Sequence, residues 1–314
     1  MWLRIFITAL IFLSAVSLFV GVSPLSLSAI LSGDAEAWNL LITSRLPRLL
    51  AILLSGAGLS IAGLVMQQIS QNKFAAPSTS GTIECAMFGY MLSLLFFGHG
   101  EALWLIFLCA ILGTLMFIKL IQSIQFKNAI FVPLIGIIFG NIVESLVTFI
   151  AYKYDALQNL SGWTMANFAN ILKGDYELLY ISVPIAIFTY LYATRISAVG
   201  IGKSFAINLG LNYSQIVTIG VILVSVLSAS VVMIVGQLPF LGLIVPNIIS
   251  YFNGDNLKKN IPLTAALGAC TILVCDIIGR IVIFPYELPI SMIISIVGGS
   301  AFVVLLLKRE TNDR

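Results

Sequence analysis

The sequence predicts an all-α polytopic membrane protein of about ten transmembrane helices, one of them broken. Both termini are placed in the cytoplasm, and residues 1–314 form a single membrane domain. Three observations predict this. Of the 314 residues, 60% are hydrophobic and 9% are charged. A soluble domain of that size could not hide so much apolar surface. The apolar residues gather into ten runs, many of them near the ~20 residues that cross a bilayer as a helix. The Lys and Arg residues between the runs favour one side.

The first run covers residues 3–20. Arg4 before an apolar core and Ser26-Leu27-Ser28-Ala29 after it also fit a signal peptide. The length of the core and the loop-like stretch 24–38 favour an uncleaved helix. The second run organises the chain. Arg45-Leu46-Pro47-Arg48 opens it, and proline suits a first helical turn. The run closes at Gln67-Gln68, followed by Asn72, Lys73 and Ala76-Pro77. Between lie Ser55, Gly56, Ala57, Gly58, Ser60, Ala62 and Gly63. Small residues let helix backbones approach closely in lipid, so two readings fit: a tightly packed helix, or one that lines a path.

Run three spans 81–97 and run four 102–121. Run five, 130–152, carries Pro133, Gly136 and Gly140. A polar and aromatic loop follows, 153–177, with Trp163, Phe168 and Tyr176. Run six is 178–195. The moderately polar stretch 196–213 has room for a short surface helix before run seven, 214–235. Run eight, 241–252, is short; Gly242 and Pro246 mark a kinked or partial span, tolerated at membrane depth only under protein cover. Runs nine and ten cover 261–283 and 288–307, ending at Lys308-Arg309.

With the N-terminus inside, eleven Lys and Arg residues fall on the cytoplasmic side and five outside. The outer five are Arg45, Arg48, Lys153, Lys173 and Arg280. Arg45 and Arg48 are therefore exceptions at the outer rim, where they would meet lipid phosphate or a partner. Three acids fall within spans: Glu84, Glu144 and Asp276. A carboxylate in lipid costs roughly 2.5–3.5 kcal/mol, so each should face protein or water. A structural polar contact is the simpler reading and a proton or ion relay the sharper one. Asp276 and Arg280 are four residues apart and can pair on one helix face.

Several functions are excluded. The net charge of +3 is too small to argue for nucleic acid. His99 is the only histidine, which rules out HExxH and multi-histidine metal sites. Cys85, Cys109, Cys270 and Cys275 sit in apolar runs without metal or redox spacing and read as buried thiols. No GxxxxGK[ST] occurs, so the chain holds no P-loop nucleotide site. No cofactor, catalytic group or nucleophile–base pair is expected, and the chain is not read as an enzyme.

Five motifs in order resemble the FecCD-type permease subunits of bacterial ABC importers for iron–siderophores, haem and vitamin B12. They are Arg45-Leu46-Pro47-Arg48; the small-residue helix leading to Gln67 and Asn72…Ala75-Ala76-Pro77; Phe240-Leu241-Gly242-Leu243-Ile244-Val245-Pro246-Asn247; Asp276-Ile277-Ile278-Gly279-Arg280; and Glu287-Leu288-Pro289-Ile290. The resemblance implies ten helices in the bacterial cell (inner) membrane and a second permease subunit, identical or related. It also implies cytoplasmic ATPase subunits and an extracytoplasmic substrate-binding protein. The implied cargo is a ferric siderophore, ahead of haem or vitamin B12. A proton-coupled secondary transporter using Glu84, Glu144 and Asp276 is the reading from another class.

At matching positions the resemblance assigns Arg45, Arg48 and Arg280 to docking of the binding protein through carboxylate pairs. It assigns the loop 202–215 to ATPase coupling, with Phe205, Ala206, Leu209, Gly210 and Leu211 as its contact turn and Gly210 as its cap. Gly56, Gly58, Gly63, Gln67, Asn72, Pro77, Gly242 and Pro246 are assigned to the translocation path and its packing. The chain departs from the family pattern at Asn247, at Cys275, and in the outer loop at residues 163–168.

Overall fold

The computed structural model describes residues 2–21, 26–98, 102–123 and 131–312. Pro24, His99, Glu101 and Lys127 lie outside the described residues, as do the side chains of Trp163, Thr164, Lys308 and Arg309. Among the described residues there is no strand. Ten helices follow the ten apolar runs: α1 Trp2–Phe19, α2 Leu46–Ile69, α3 Thr82–Phe97, α4 Leu103–Ser123, α5 Phe131–Lys153, α6 Ser182–Ile201, α7 Tyr213–Val235, α8 Leu241–Asn253, α9 Leu257–Ile281 and α10 Ile290–Asn312. Seven helical runs are long and apolar enough to cross a membrane, and α3, α8 and α10 carry shorter apolar stretches. Asn212 and Asn256 cap α7 and α9 by accepting the N–H groups of Gln215 and Lys259, each at 3.1 Å. Gly98 ends α3 at φ +75°, a backbone that favours glycine.

The helix through Pro47 starts earlier than the sequence suggests. A run from Ala35 continues through a π-turn, Leu41–Arg45, directly into α2. Pro47 has no N–H to give the Thr43 carbonyl one turn back. That carbonyl instead accepts the Lys173 N–H from the outer loop at 3.0 Å. The missing hydrogen bond becomes a tether for the 153–177 loop. The same loop joins two further elements. Asn167 N–H donates to the Val235 carbonyl at the end of α7, and Ile290 N–H at the start of α10 donates to the Ala166 carbonyl.

Helix α2 is the hub. It packs against α6, α7, α8 and α9, and most of its apolar span is buried. Its small residues make this possible. Gly56 backs onto Gly268 and Ala269 of α9 so closely that a Cβ would sit 2.8 Å from the Ala269 Cα. A Cβ on Gly63 would overlap the Gly242 carbonyl of α8. Gly58 is less crowded; its added Cβ would lie 3.4 Å from Ser182. The small-residue face is therefore a packing seam.

The eighth span runs unbroken through Pro246, so the expected break takes another form. α8 is a partial span of 13 residues, about 20 Å of helix. Gly242 in its first turn lies beside Gly63, well down α2. Residues 236–240 thus leave α7 and descend into the membrane before α8 begins. Irregular backbone at that depth needs protein cover; Leu238 is buried, and Gly236 at φ +96° has no room for a side chain against Ala166.

A second group, α3, α4 and α5, packs together beside α7. α5 lies at its edge and exposes Leu134, Ile138, Ile142, Leu146 and Phe149. α1 lies mainly against α9, and α10 against α8 and α9.

Candidate functional site

The ends of α1, α2 and α9 meet in a cluster of charge on the side the sequence assigns to the exterior. Arg48 donates from Nη2 to Asp276 Oδ1 at 2.7 Å and from Nη1 to Glu287 Oε2 at 2.8 Å. Asp276 Oδ2 also pairs with Arg280 Nη2, its neighbour one turn along α9. Arg280 continues to α1, donating to the Ser17 and Val20 carbonyls at 2.9 Å each and to Ser17 Oγ at 3.0 Å. Arg45 donates to the same Val20 carbonyl at 2.5 Å. These carbonyls belong to the last turn of α1, where helix acceptors lack intrahelical donors and cations are favoured. Two arginines thus cap α1 and bind it to the bundle.

The sequence reading put three arginines on an outer rim, facing a partner. The structure brings them together but sets them deeper. Arg45 is 8% exposed and Arg280 3%, with Asp276 at 4%. The Arg48 and Arg280 guanidinium groups already hold carboxylates of this chain. A buried charge persists only when paired and hydrogen-bonded, and here each acid is held by arginine. Three guanidinium groups share two carboxylates among these five side chains, which leaves the cluster electropositive. Glu287, 23% exposed at its side chain, is its most open member. The i,i+4 pairing of Asp276 with Arg280 is as the spacing predicts. The pairing of Arg48 with Asp276 and Glu287 is not readable from the chain, because the partners are more than 200 residues apart.

Other acids lie elsewhere. Glu84 is in the first turn of α3, against Gly140 of α5, with Oε2 buried and without a hydrogen-bond partner. Glu144 is exposed on α5. Asp276 is held on α9 by two arginines, so the three acids do not form one contiguous relay.

At the opposite end, the Lys203–Asn208 helix joins α6 to α7. Its geometry follows from Gly210, which adopts φ +73°. Gly210 N–H reaches the Ile207 carbonyl at 2.8 Å and Leu211 N–H reaches the Ala206 carbonyl at 3.0 Å, closing the helix as a left-handed C-terminal cap. Ala206 is fully buried and Leu211 packs on the core. Phe205, Ile207 and Leu209 are exposed, at 42%, 52% and 58%. The turn thus presents Phe205 and Leu209 as the sequence suggests. Leu211 turns inward, and Ile207, which sequence reasoning passed over, takes its place outside.

The remaining motif residues are structural joints near this inner end. Gln67 donates to the Leu243 carbonyl at 3.3 Å. Asn72 Oδ1 accepts the Phe74 N–H at 2.7 Å, and Pro77 begins a 3₁₀ turn that packs beside Gly242. Asn247, one of the departures, donates to the Lys73 carbonyl at 2.8 Å and to the Leu243 carbonyl at 2.7 Å. Pro246 is buried within α8. Lys73 itself pairs with Asp255. Among the described residues no group of three metal-ligating side chains occurs.

Comparison with known proteins identifies the architecture. The model of the FecCD transport family matches residues 9–308. The petrobactin import system permease protein YclN of Bacillus subtilis is 46% identical over 313 residues, covering 99% of both chains. The ferric-anguibactin transport system permease protein FatD of Vibrio anguillarum is 37% identical over 305 residues, covering 96% of this chain and 97% of its own. Among solved structures, a metal-chelate type ABC transporter in an inward-facing conformation superposes with a TM-score of 0.80. It is 27% identical and covers 98% of each chain.

Proposed function

This chain belongs to the FecCD transport family, and from that premise we propose that it is the membrane permease subunit of an ABC importer for a ferric siderophore. The observation that carries the reading is the end-to-end 46% identity to a petrobactin import permease. The chain is a multi-pass transport component, not an enzyme. It works beside a second permease subunit, with ATP hydrolysis on cytoplasmic subunits and delivery by an extracytoplasmic binding protein.

The two ends of the bundle take the two partners. The arginine cluster holds a local surplus of positive charge just beneath the outer surface, which would orient acidic groups of a binding protein toward Arg45, Arg48 and Arg280. At the inner end, Phe205, Ile207 and Leu209 are apolar side chains in water, suited to a groove on an ATPase subunit. Ala206 and Leu211 fasten the turn to the core, and the turn lies between α6 and α7. Both helices pack on α2. Displacement of the turn by closing ATPase subunits would therefore move the α6–α7 pair against the hub and switch access between the faces.

The test is growth under iron restriction with ferric petrobactin as the iron source. Deletion of the gene should abolish growth and a plasmid copy should restore it. Undiminished growth of the deletion strain on petrobactin and on other ferric siderophores would overturn the cargo assignment.

A further inference from the structure

Between the inner ends of α4 and α7 lies a cavity of about 420 Å³. Lys119 and Gln122 of α4 line one side, Lys203 at the start of the turn helix another, and Asn212, Tyr213 and Ser214 a third. Neither lysine forms an ion pair with a carboxylate among the described residues. The last three residues are the cap and first turn of α7, a 23-residue helix whose N-terminal dipole adds positive potential. Beside it along α4 lies a second hollow, also about 420 Å³, which shares Leu115 and Lys119 with it. Its walls include Leu112, Met116 and Leu120, exposed at 56%, 55% and 36% on a helix that crosses the membrane.

We propose that this combined cavity binds an anionic phospholipid of the cytoplasmic leaflet, its phosphate between Lys119 and Lys203 and an acyl chain along Leu112 and Met116. The pair of cavities is amphipathic: a cationic, hydrogen-bonding chamber adjoins a hollow walled mainly by apolar side chains of a membrane-spanning helix. A water-soluble anion would use only the chamber, and a neutral lipid would leave two lysines uncompensated. The cytoplasmic end is also where anionic headgroups concentrate positive side chains. The cavity and the face offered to an ATPase overlap at Ile207 and differ at Phe205 and Leu209. Phe205 and Leu209 do not line the cavity, whereas Lys203 and Ile207 of the same turn helix do. The lipid phosphate would tie Lys203, the first residue of the turn helix, to α4. Lipid composition would thereby set how firmly the turn is held.

Native mass spectrometry of the full chain in detergent, titrated with phosphatidylglycerol, phosphatidylcholine or glycerol 3-phosphate, tests this. Phosphatidylglycerol should be retained in preference to both others. Lys119→Gln and Lys203→Gln should each weaken it about five-fold. The double Lys→Arg variant should bind like the unaltered chain, which separates loss of charge from loss of fold. Met116→Trp should expel the chain with both lysines intact. Equal retention of the two lipids, undiminished phosphatidylglycerol in the double Gln variant, or glycerol phosphate bound as tightly as lipid would overturn the proposal. Absence of any retained lipid would overturn it too, as expected if a second copy of the permease filled the groove.

Discussion

The two ends of the bundle solve opposite problems. The outer end buries its charges: Arg48, Asp276 and Arg280 are locked together and clasp the last turn of α1. The inner turn exposes apolar side chains, Phe205, Ile207 and Leu209, on a short helix held by little more than Ala206, Leu211 and a glycine cap. The outer end gains order at the cost of availability. The inner end stays available because its surface side chains do no packing. The same substitution chemistry should therefore unfold one end and merely disconnect the other.

The strongest way to break that comparison is at Asp276. Asp276→Ala leaves Arg48 and Arg280 facing each other in a buried site, and removing one partner of a buried pair costs about 3–5 kcal/mol. Thermal melting in detergent should register a large loss, with α1 more open to proteolysis. An unchanged melting temperature would show that the cluster is wetter than its burial indicates. Next comes the seam. Gly63→Leu forces a side chain into the Gly242 carbonyl, and overpacking of this kind costs about 1–3 kcal/mol. The contrasting site is Gly58, where an alanine meets ordinary van der Waals contacts; Gly58→Ala should melt close to the unaltered protein.

Glu287→Gln sharpens the comparison at its outer edge. The pair with Arg48 is 2.8 Å but partly open to water, so the loss should stay within about 1 kcal/mol. A large loss would mean that Arg48 depends on both acids equally. Smallest in stability are Phe205→Asp and Leu209→Asp, expected within about 0.5 kcal/mol because both side chains are exposed. Their effect should appear as failure of the ATPase subunit to co-purify.

Much of this was legible in the chain. Apolar run length located all ten helices, because length against bilayer thickness is a local property. The Asp276–Arg280 pair and the Gly210 cap were legible for the same reason: both depend on spacing along one helix or turn. What lay between helices was not. Nothing local tells that Arg48 reaches Glu287, or that the carbonyl freed by Pro47 takes Lys173. The inward turn of Leu211 and the outward turn of Ile207 also depend on how the cap rotates a six-residue helix. This changes how docking should be probed. Arg48→Glu would place a third acid beside Asp276 and Glu287 and disturb the fold before it reported on a partner.

The most direct measurement is ATP-dependent uptake of a ferric siderophore that supports growth through this chain, by cells carrying the unaltered chain or the Phe205→Asp, Leu209→Asp double variant at equal membrane level. The account predicts full uptake in the first and none in the second, with equal melting temperatures for the two purified chains. Normal uptake by the double variant would contradict the claim that this exposed turn couples the permease to its ATPase.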